Sequence, residues 1–188
     1  HEIKAHYLIQ SADFVSCNHP QWISRYSVLR NCRKGGTFVL NTKLLTLAAL
    51  EEGLPHTIKQ AIAQREVIFY VIDANSVAES TGMGKRINNI MQAVFFQLSG
   101  VLPASTAMTL FKAEIRKSYG KKGEEVVLAN YAAVDAAISA LHRIDYPAST
   151  WAKAAAPINT TNAGVVRMDK LAETSIRSSK AMTEGKKE

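Results

Sequence analysis

Six consecutive strand-forming residues, Val67 to Ile72 (VIFYVI), constrain the fold more than any other stretch of the chain. Val, Ile, Phe and Tyr favour extended backbone, and no polar residue alternates with them. A strand with one wet face shows alternation. An unbroken apolar run fits a strand covered on both faces, as in a parallel sheet. Two shorter runs repeat the signal: ADFVSC, with a strand over 13–16, and TFVL over 37–40. Between them Pro20 can open a helix, and Trp22, Ile23, Tyr26 and Leu29 predict one running to about Cys32, with Gly35-Gly36 as its breaker. Strand, helix and strand form a crossover unit, which implies parallel pairing. The predicted fold class is α/β: a three-layer parallel-sheet domain with a helix-rich C-terminal half and an extended tail.

Helical patterns fill the rest. Leu44, Leu45, Leu47, Ala48 and Leu50 predict a helix after Asn41, punctuated by Gly53 and Pro55. Ile58, Ala61 and Ile62 predict a short helix ending near Arg65. Asp73 closes the VIFYVI strand and can cap the next segment. From Pro103 onward the reading is all helix. Ala107, Leu110, Phe111, Ile115 and Tyr119 lie on one helix that stops at Gly120. Lys121, Lys122 and Gly123 make a basic turn, read as a solvated connection in preference to a phosphate site. Val126 to Leu141 comes next, with Val127, Ala133, Val134, Ala137 and Ile138 on its buried side. Asp135 is expected to have a polar partner. His142 is placed near this helix's end, where a cation suits the dipole. Pro147 ends the main domain, 1–147. Residues 148–188 read as a linker and tail, in which Met168, Leu171, Ala172 and Ile176 hint at a short amphipathic helix.

The stretch Gly82 to Gly100, GMGKRINNIMQAVFFQLSG, joins chemistry to this scaffold. Two glycines and two cations, Lys85 and Arg86, precede a mainly apolar helix. N–H groups at a helix start attract anions, and an arginine adds a rigid donor fork. Asn88 and Asn89 open the helix, where an amide can cap the backbone or reach a ligand. Ile90, Val94, Phe95 and Leu98 mark its buried face. Ligands of open α/β sheets gather beyond the carboxyl ends of the strands, and this stretch lies one short helix after VIFYVI. On spacing alone, a glycine-terminated helix, a turn and a capped helix describe it better than a ligand motif.

Length and charge narrow the classes. The 188 residues suit one domain with an appendage, and 47% hydrophobic content supports a real core. A formal charge of +7 and a pI near 9.5 suit an acidic partner, a phosphorylated cofactor or nucleic acid. No dense basic tract or aromatic-basic interleaving accompanies that charge, so nucleic acid is disfavoured as a partner. Cys17 and Cys32 are too few for a four-cysteine zinc or iron–sulfur site. They are expected as free, buried thiols in a reducing compartment, cytoplasm or organelle matrix, with a disulfide as the alternative. The five histidines show no paired metal-ligand spacing, and no nucleophile–base–acid set stands out. No apolar run approaches a membrane span, and no signal-peptide pattern opens the chain. The chain opens on His1 and reads as an internal fragment or processed product.

In order, these pieces resemble one family. They are Ala12-Asp13-Phe14-Val15 with Cys17 and Pro20, Gly35-Gly36-Thr37-Phe38 with Leu40-Asn41, and Phe69-Tyr70-Val71-Ile72-Asp73-Ala74. After them come Gly82-Met83-Gly84, Arg86-Ile87-Asn88 and Ile90-Met91-Gln92, then Phe95-Phe96 and Leu98-Ser99-Gly100-Val101-Leu102-Pro103. Tyr119 to Gly123, Asn130 to Asp135 and a Pro147 to Trp151 exit complete the set. Over Ile3 to Trp151 the chain resembles the gamma-type domain of the pyruvate:ferredoxin (or flavodoxin) oxidoreductases.

The resemblance implies a part in oxidative decarboxylation of pyruvate, with electrons passing to iron–sulfur clusters and acetyl to coenzyme A. It implies that this domain helps to close over coenzyme A, with Gly84, Arg86, Asn88, Asn89, Met91 and Gln92 as the cofactor-binding residues. Thiamine diphosphate and the clusters would sit on other domains or subunits of the enzyme, the implied partners. The isolated chain would then be inactive. The alternative is a non-catalytic structural subunit, derived from this domain, inside a large assembly. Three departures stand out. Asn18 occupies the place where the family has a histidine, with His19 next. Lys85 stands where a small residue is usual. The family's opening GTVGANKN-like and DSKKSGG-like segments do not occur, so the domain is expected to be truncated at its N-terminus.

Overall fold

The computed structural model describes residues 9–153. Four strands form one sheet in the order β1 (Ala12–Cys17), β2 (Cys32–Asn41), β3 (Ile68–Ile72), β4 (His142–Ile144). β1, β2 and β3 run parallel, with Val15 opposite Phe38, Cys17 opposite Leu40, and Leu40 opposite Val71. Side chains alternate across these strands, so each strand feeds two layers. Phe38, Leu40, Phe69 and Val71 enter a first layer with Leu50, Ile58, Ile62 and Trp151. Val39 and Ile72 enter a second with Ala78, Ile90, Val94, Ala133 and Val134. Each such large apolar side chain contributes about 1.5–3 kcal/mol on burial. Apart from Ile68 at the start of β3, 39% exposed, VIFYVI is thus covered on both faces, and the α/β three-layer expectation holds.

Seven helices flank the sheet among the described residues: α1 (Leu47–Gly53), α2 (His56–Gln64), α3 (Ala74–Ser80), α4 (Asn88–Leu98), α5 (Ala104–Tyr119), α6 (Glu124–Ser139) and α7 (Ala148–Lys153). Asp73 caps α3 as expected, accepting from the Ser76 N–H at 3.0 Å. Asp135 has its polar partner, Lys112, at 2.6 Å. Cys17 and Cys32 are free and buried. No described helix is long and apolar enough to cross a membrane.

Several local readings are corrected. The helix expected from Pro20 to Cys32 is a 3-10 turn, Pro20–Ser24, with further turns after it. Its end is drawn into the sheet: the Ala12 N–H donates to the Asn31 carbonyl at 2.7 Å and the Asn31 amide donates to the Ile9 carbonyl at 2.6 Å. Ile23 and Leu29 are buried while Trp22 and Tyr26 are exposed, a pattern no helical stripe satisfies. Gly35-Gly36 does not break an element but lies inside β2, where the register shifts. Gly35 has φ +71°, and a Cβ on Gly36 would lie 3.0 Å from the Cys32 sulfur and 3.1 Å from the Asp13 carbonyl. The first helix starts at Leu47, because Thr46 is its N-cap, accepting from the Ala49 N–H at 3.3 Å, while ahead of it Thr42 Oγ1 accepts from the Leu44 N–H at 3.1 Å. Leu110 is 57% exposed, since α5 packs through Ala107, Phe111 and Ile115.

The C-terminal region is not all helix. His142 does not end a helix: α6 stops at Ser139, and His142 begins β4, antiparallel to β3 and opposite Val71. Nor does Pro147 end the folded part. α7 comes after it, Trp151 is buried, and its ring stacks on Tyr146 at 5.2 Å. The predicted linker therefore does not begin at 148. The short helix hinted at by Met168 to Ile176 lies outside the described residues.

Candidate functional site

Three parallel strands end on the same edge of the sheet, at Cys17, Asn41 and Ile72. The segments leaving that edge are joined by one buried side chain. Asn41 donates from Nδ2 to the Asn18 carbonyl at 2.9 Å, and its Oδ1 accepts from the Ala74 N–H at 2.9 Å. The loop after β1 and the start of α3 are thereby fixed to each other. Burial of an amide is tolerable only with such partners. Burial also pushes the Cys17 thiol above its ordinary range, so it stays neutral at the edge.

A cleft of about 440 Å³ opens there, lined by Asn18, His19, Asn75, Glu79, Gly84, Lys85, Ile87 and Asn88. Its far wall is the turn between α3 and α4. Gly82 and Gly84 hold φ of +75° and +62°, in the left-handed region that glycine takes without strain. Between them Met83 turns inward, 4% exposed, and its N–H donates to the Ala78 carbonyl at 2.8 Å. The two glycines thus have a structural purpose: they pin this wall to the core.

The six predicted site residues are not brought together. Gly84 and Asn88 line the cleft. Arg86 is exposed beside it, its Nε donating to the Met83 carbonyl at 3.0 Å. Asn89 turns away and donates to Asn130 Oδ1 at 2.6 Å. Met91 is buried in the second layer, and Gln92 is exposed outside the cleft. Neither Asn88 nor Asn89 caps α4, whose N-cap position is Ile87 with no side-chain cap bond. Asn18, His19, Asn75, Glu79 and Lys85 complete the lining instead. The available signal for them was position: each lies just past a strand end or beside the glycine pair.

The lining offers amides, an imidazole, an ammonium and one carboxylate. Asn18 Oδ1 is buried without a hydrogen-bond partner among the described residues, an acceptor still lacking a donor. No group of three metal-ligating side chains occurs among the described residues. Such a lining can take up and orient polar groups.

The fold is an α/β domain with a mixed, mainly parallel sheet, and its cleft lies at the strand carboxyl ends, where ligands of open α/β sheets gather. Residues 1–140 match the family model described as pyruvate ferredoxin/flavodoxin oxidoreductase, and the chain belongs to this family. It is 46% identical over 149 residues to the pyruvate dehydrogenase (NADP+) of Cryptosporidium parvum, covering 79% of this chain and 8% of that protein. It is 42% identical over 152 residues to the pyruvate:ferredoxin oxidoreductase of Moorella thermoacetica, covering 81% of this chain and 13% of that protein. The chain thus spans about a tenth of the length of these relatives and corresponds to one domain-sized part of them. In fold it is similar to the pyruvate oxidoreductase subunit PORC of Thermotoga maritima, with a TM-score of 0.56, 15% identity, and coverage of 73% of this chain and 67% of that one.

Proposed function

We propose that this chain is the coenzyme A-side domain of a pyruvate:ferredoxin-type 2-oxoacid oxidoreductase, inactive alone. The observation that carries the reading is the cleft itself, set at the carboxyl edge with Lys85, Gly84 and Asn88 on one wall. Its residues fit part of a coenzyme. The Lys85 ammonium suits a phosphate, and the Asn75 and Asn88 amides suit amide or adenine groups. The bare backbone at Gly84 permits close approach, with nothing within 4 Å of a would-be Cβ. Arg86 and Gln92, exposed beside the cleft, are available to the rest of the ligand. The coenzyme supplies the thiol that accepts the acyl group; this chain's residues bind and orient it. Iron–sulfur clusters would sit on other domains, as two cysteines cannot form a four-thiolate site, and the family resemblance assigns thiamine diphosphate to other domains as well.

A cleft of about 440 Å³ takes one end of such a ligand, so neighbouring domains must cover the remainder. Removing one charge-assisted contact costs about 1.5–3 kcal/mol, or about ten- to a hundredfold in affinity. In the native assembly, Lys85→Ala is expected to raise the KM for coenzyme A by about tenfold and leave that for pyruvate unchanged. Calorimetry of the isolated chain should show no micromolar binding. An unchanged coenzyme KM would overturn the reading and leave the domain a structural one.

A further inference from the structure

A second hollow, of about 480 Å³, lies in the other layer, between the turns over 20–31 and α2. Its floor includes Ile23, Leu29 and Ile58, which belong to the first layer's core. Tyr26, Arg30 and Arg65 stand around it, and Tyr26 is 65% exposed. Arg65 donates from Nη2 to the Arg30 carbonyl at 3.2 Å, which orients one guanidinium at the rim. Neither arginine has a carboxylate within ion-pair distance among the described residues. Some other surface cations do, Arg33 with Asp13 and Arg116 with Glu124 among them, while Arg30 and Arg65 stand together at one hollow. Trp22, 44% exposed, lies on the 3-10 turn just before Tyr26.

An apolar floor, two guanidinium groups without a carboxylate partner among the described residues, and an exposed tyrosine have the composition of an interface hot spot. Guanidinium takes carboxylates through paired N–H bonds, so the matching surface is acidic. We propose that this hollow docks an acidic protein segment, which places one large apolar side chain on Ile23, Leu29 and Ile58 and its carboxylates on Arg30 and Arg65. The proposal does not rest on the coenzyme reading, since the hollow and the cleft share no residue.

The test uses the whole chain and two short fluorescent peptides rich in Glu and Asp, one with a central Leu-Phe pair and one with Ser-Ser in its place. By fluorescence anisotropy at physiological salt, the Leu-Phe peptide should bind at least about tenfold more tightly. The double variant Arg30→Glu, Arg65→Glu should lose about tenfold or more, and Lys121→Glu, outside the hollow, should lose nothing. Tyr26→Ser removes only an exposed side chain, so it remains foldable if the charge reversal does not, and it should weaken binding severalfold. Equal binding of the two peptides, binding of neither, insensitivity to all three hollow substitutions, or preference of the same site for a short RNA would each overturn the proposal. A failure here leaves the Lys85 experiment unaffected, and the reverse.

Discussion

The two layers that flank the sheet differ in how closely their helices approach. In the first, Phe38 stacks on Phe69 at 5.4 Å, and Phe69, Trp151 and Tyr146 continue the aromatic contacts. In the second, Ala74, Ala78, Ala93, Ala133 and Ala137 are all fully buried, and an amide pair, Asn89 with Asn130, sits among the helices. Large rings contribute much apolar area, and the same layer keeps a hollow beside α2, lined by other residues. Small side chains let helix backbones approach closely, which suits a layer that must hold the turn at Gly82 to Ile87 in one position. The second layer has rings of its own, a chain from Phe14 through Phe95 and Phe96 to Phe111; its fully buried alanines are what set it apart, and the cleft is on its side.

The sharpest challenge to this contrast is Trp151→Ala. It removes a buried ring from contacts with Phe69 and Tyr146, and should cost about 3–5 kcal/mol in a urea titration. A loss below about 1 kcal/mol would make α7 an appendage and take the aromatic argument away. Next comes Asn130→Ala, which strands the Asn89 amide inside the second layer. It should cost about 1–3 kcal/mol. The Asn89→Ala, Asn130→Ala double variant should lose less than the sum of the two singles, because the pair is removed together. Strict additivity would show that the amides do not act as a unit. The smallest effect is expected at the rim. Asp135→Asn breaks an ion pair whose members are 32% and 65% exposed, and should shift stability by less than about 1 kcal/mol, less still in high salt. A larger loss would mean that surface charge, not close packing, holds α5 to α6.

Legibility tracked how local each determinant is. VIFYVI announces a strand because six neighbouring residues agree, and the Asp73 cap depends on a residue three positions away. β4 is three residues, His-Arg-Ile, with no run of its own; it is a strand because β3 has a free edge to pair with. The segment after Pro20 carries helical spacing, yet bonds from Ala12 and Asn31 bind its end to the sheet. The cleft was half legible for the same reason. The glycine pair marks Gly84 to Asn88, with Asn75 and Glu79 on the helix just before it, but Asn18 and His19 reach that wall only through the parallel pairing that aligns the strand ends. Asn89 and Met91 sit next to the right positions in sequence, while helix geometry turns them toward Asn130 and the core.

The register shift near the start of β2 has a consequence for how this fold tolerates change. Ala12 pairs with Cys32, but Phe14 already pairs with Thr37, and from there to Cys17 and Leu40 the match is one to one. The surplus residues, Gly35-Gly36 among them, lie at the end of the ladder remote from the cleft. They act as slack in a rope whose other end is moored. A residue gained or lost ahead of Thr37 can be taken up there, whereas one inserted after it would displace Asn41 from both backbone groups it holds. Length variation is absorbed at one end of the sheet so that position can be kept at the other.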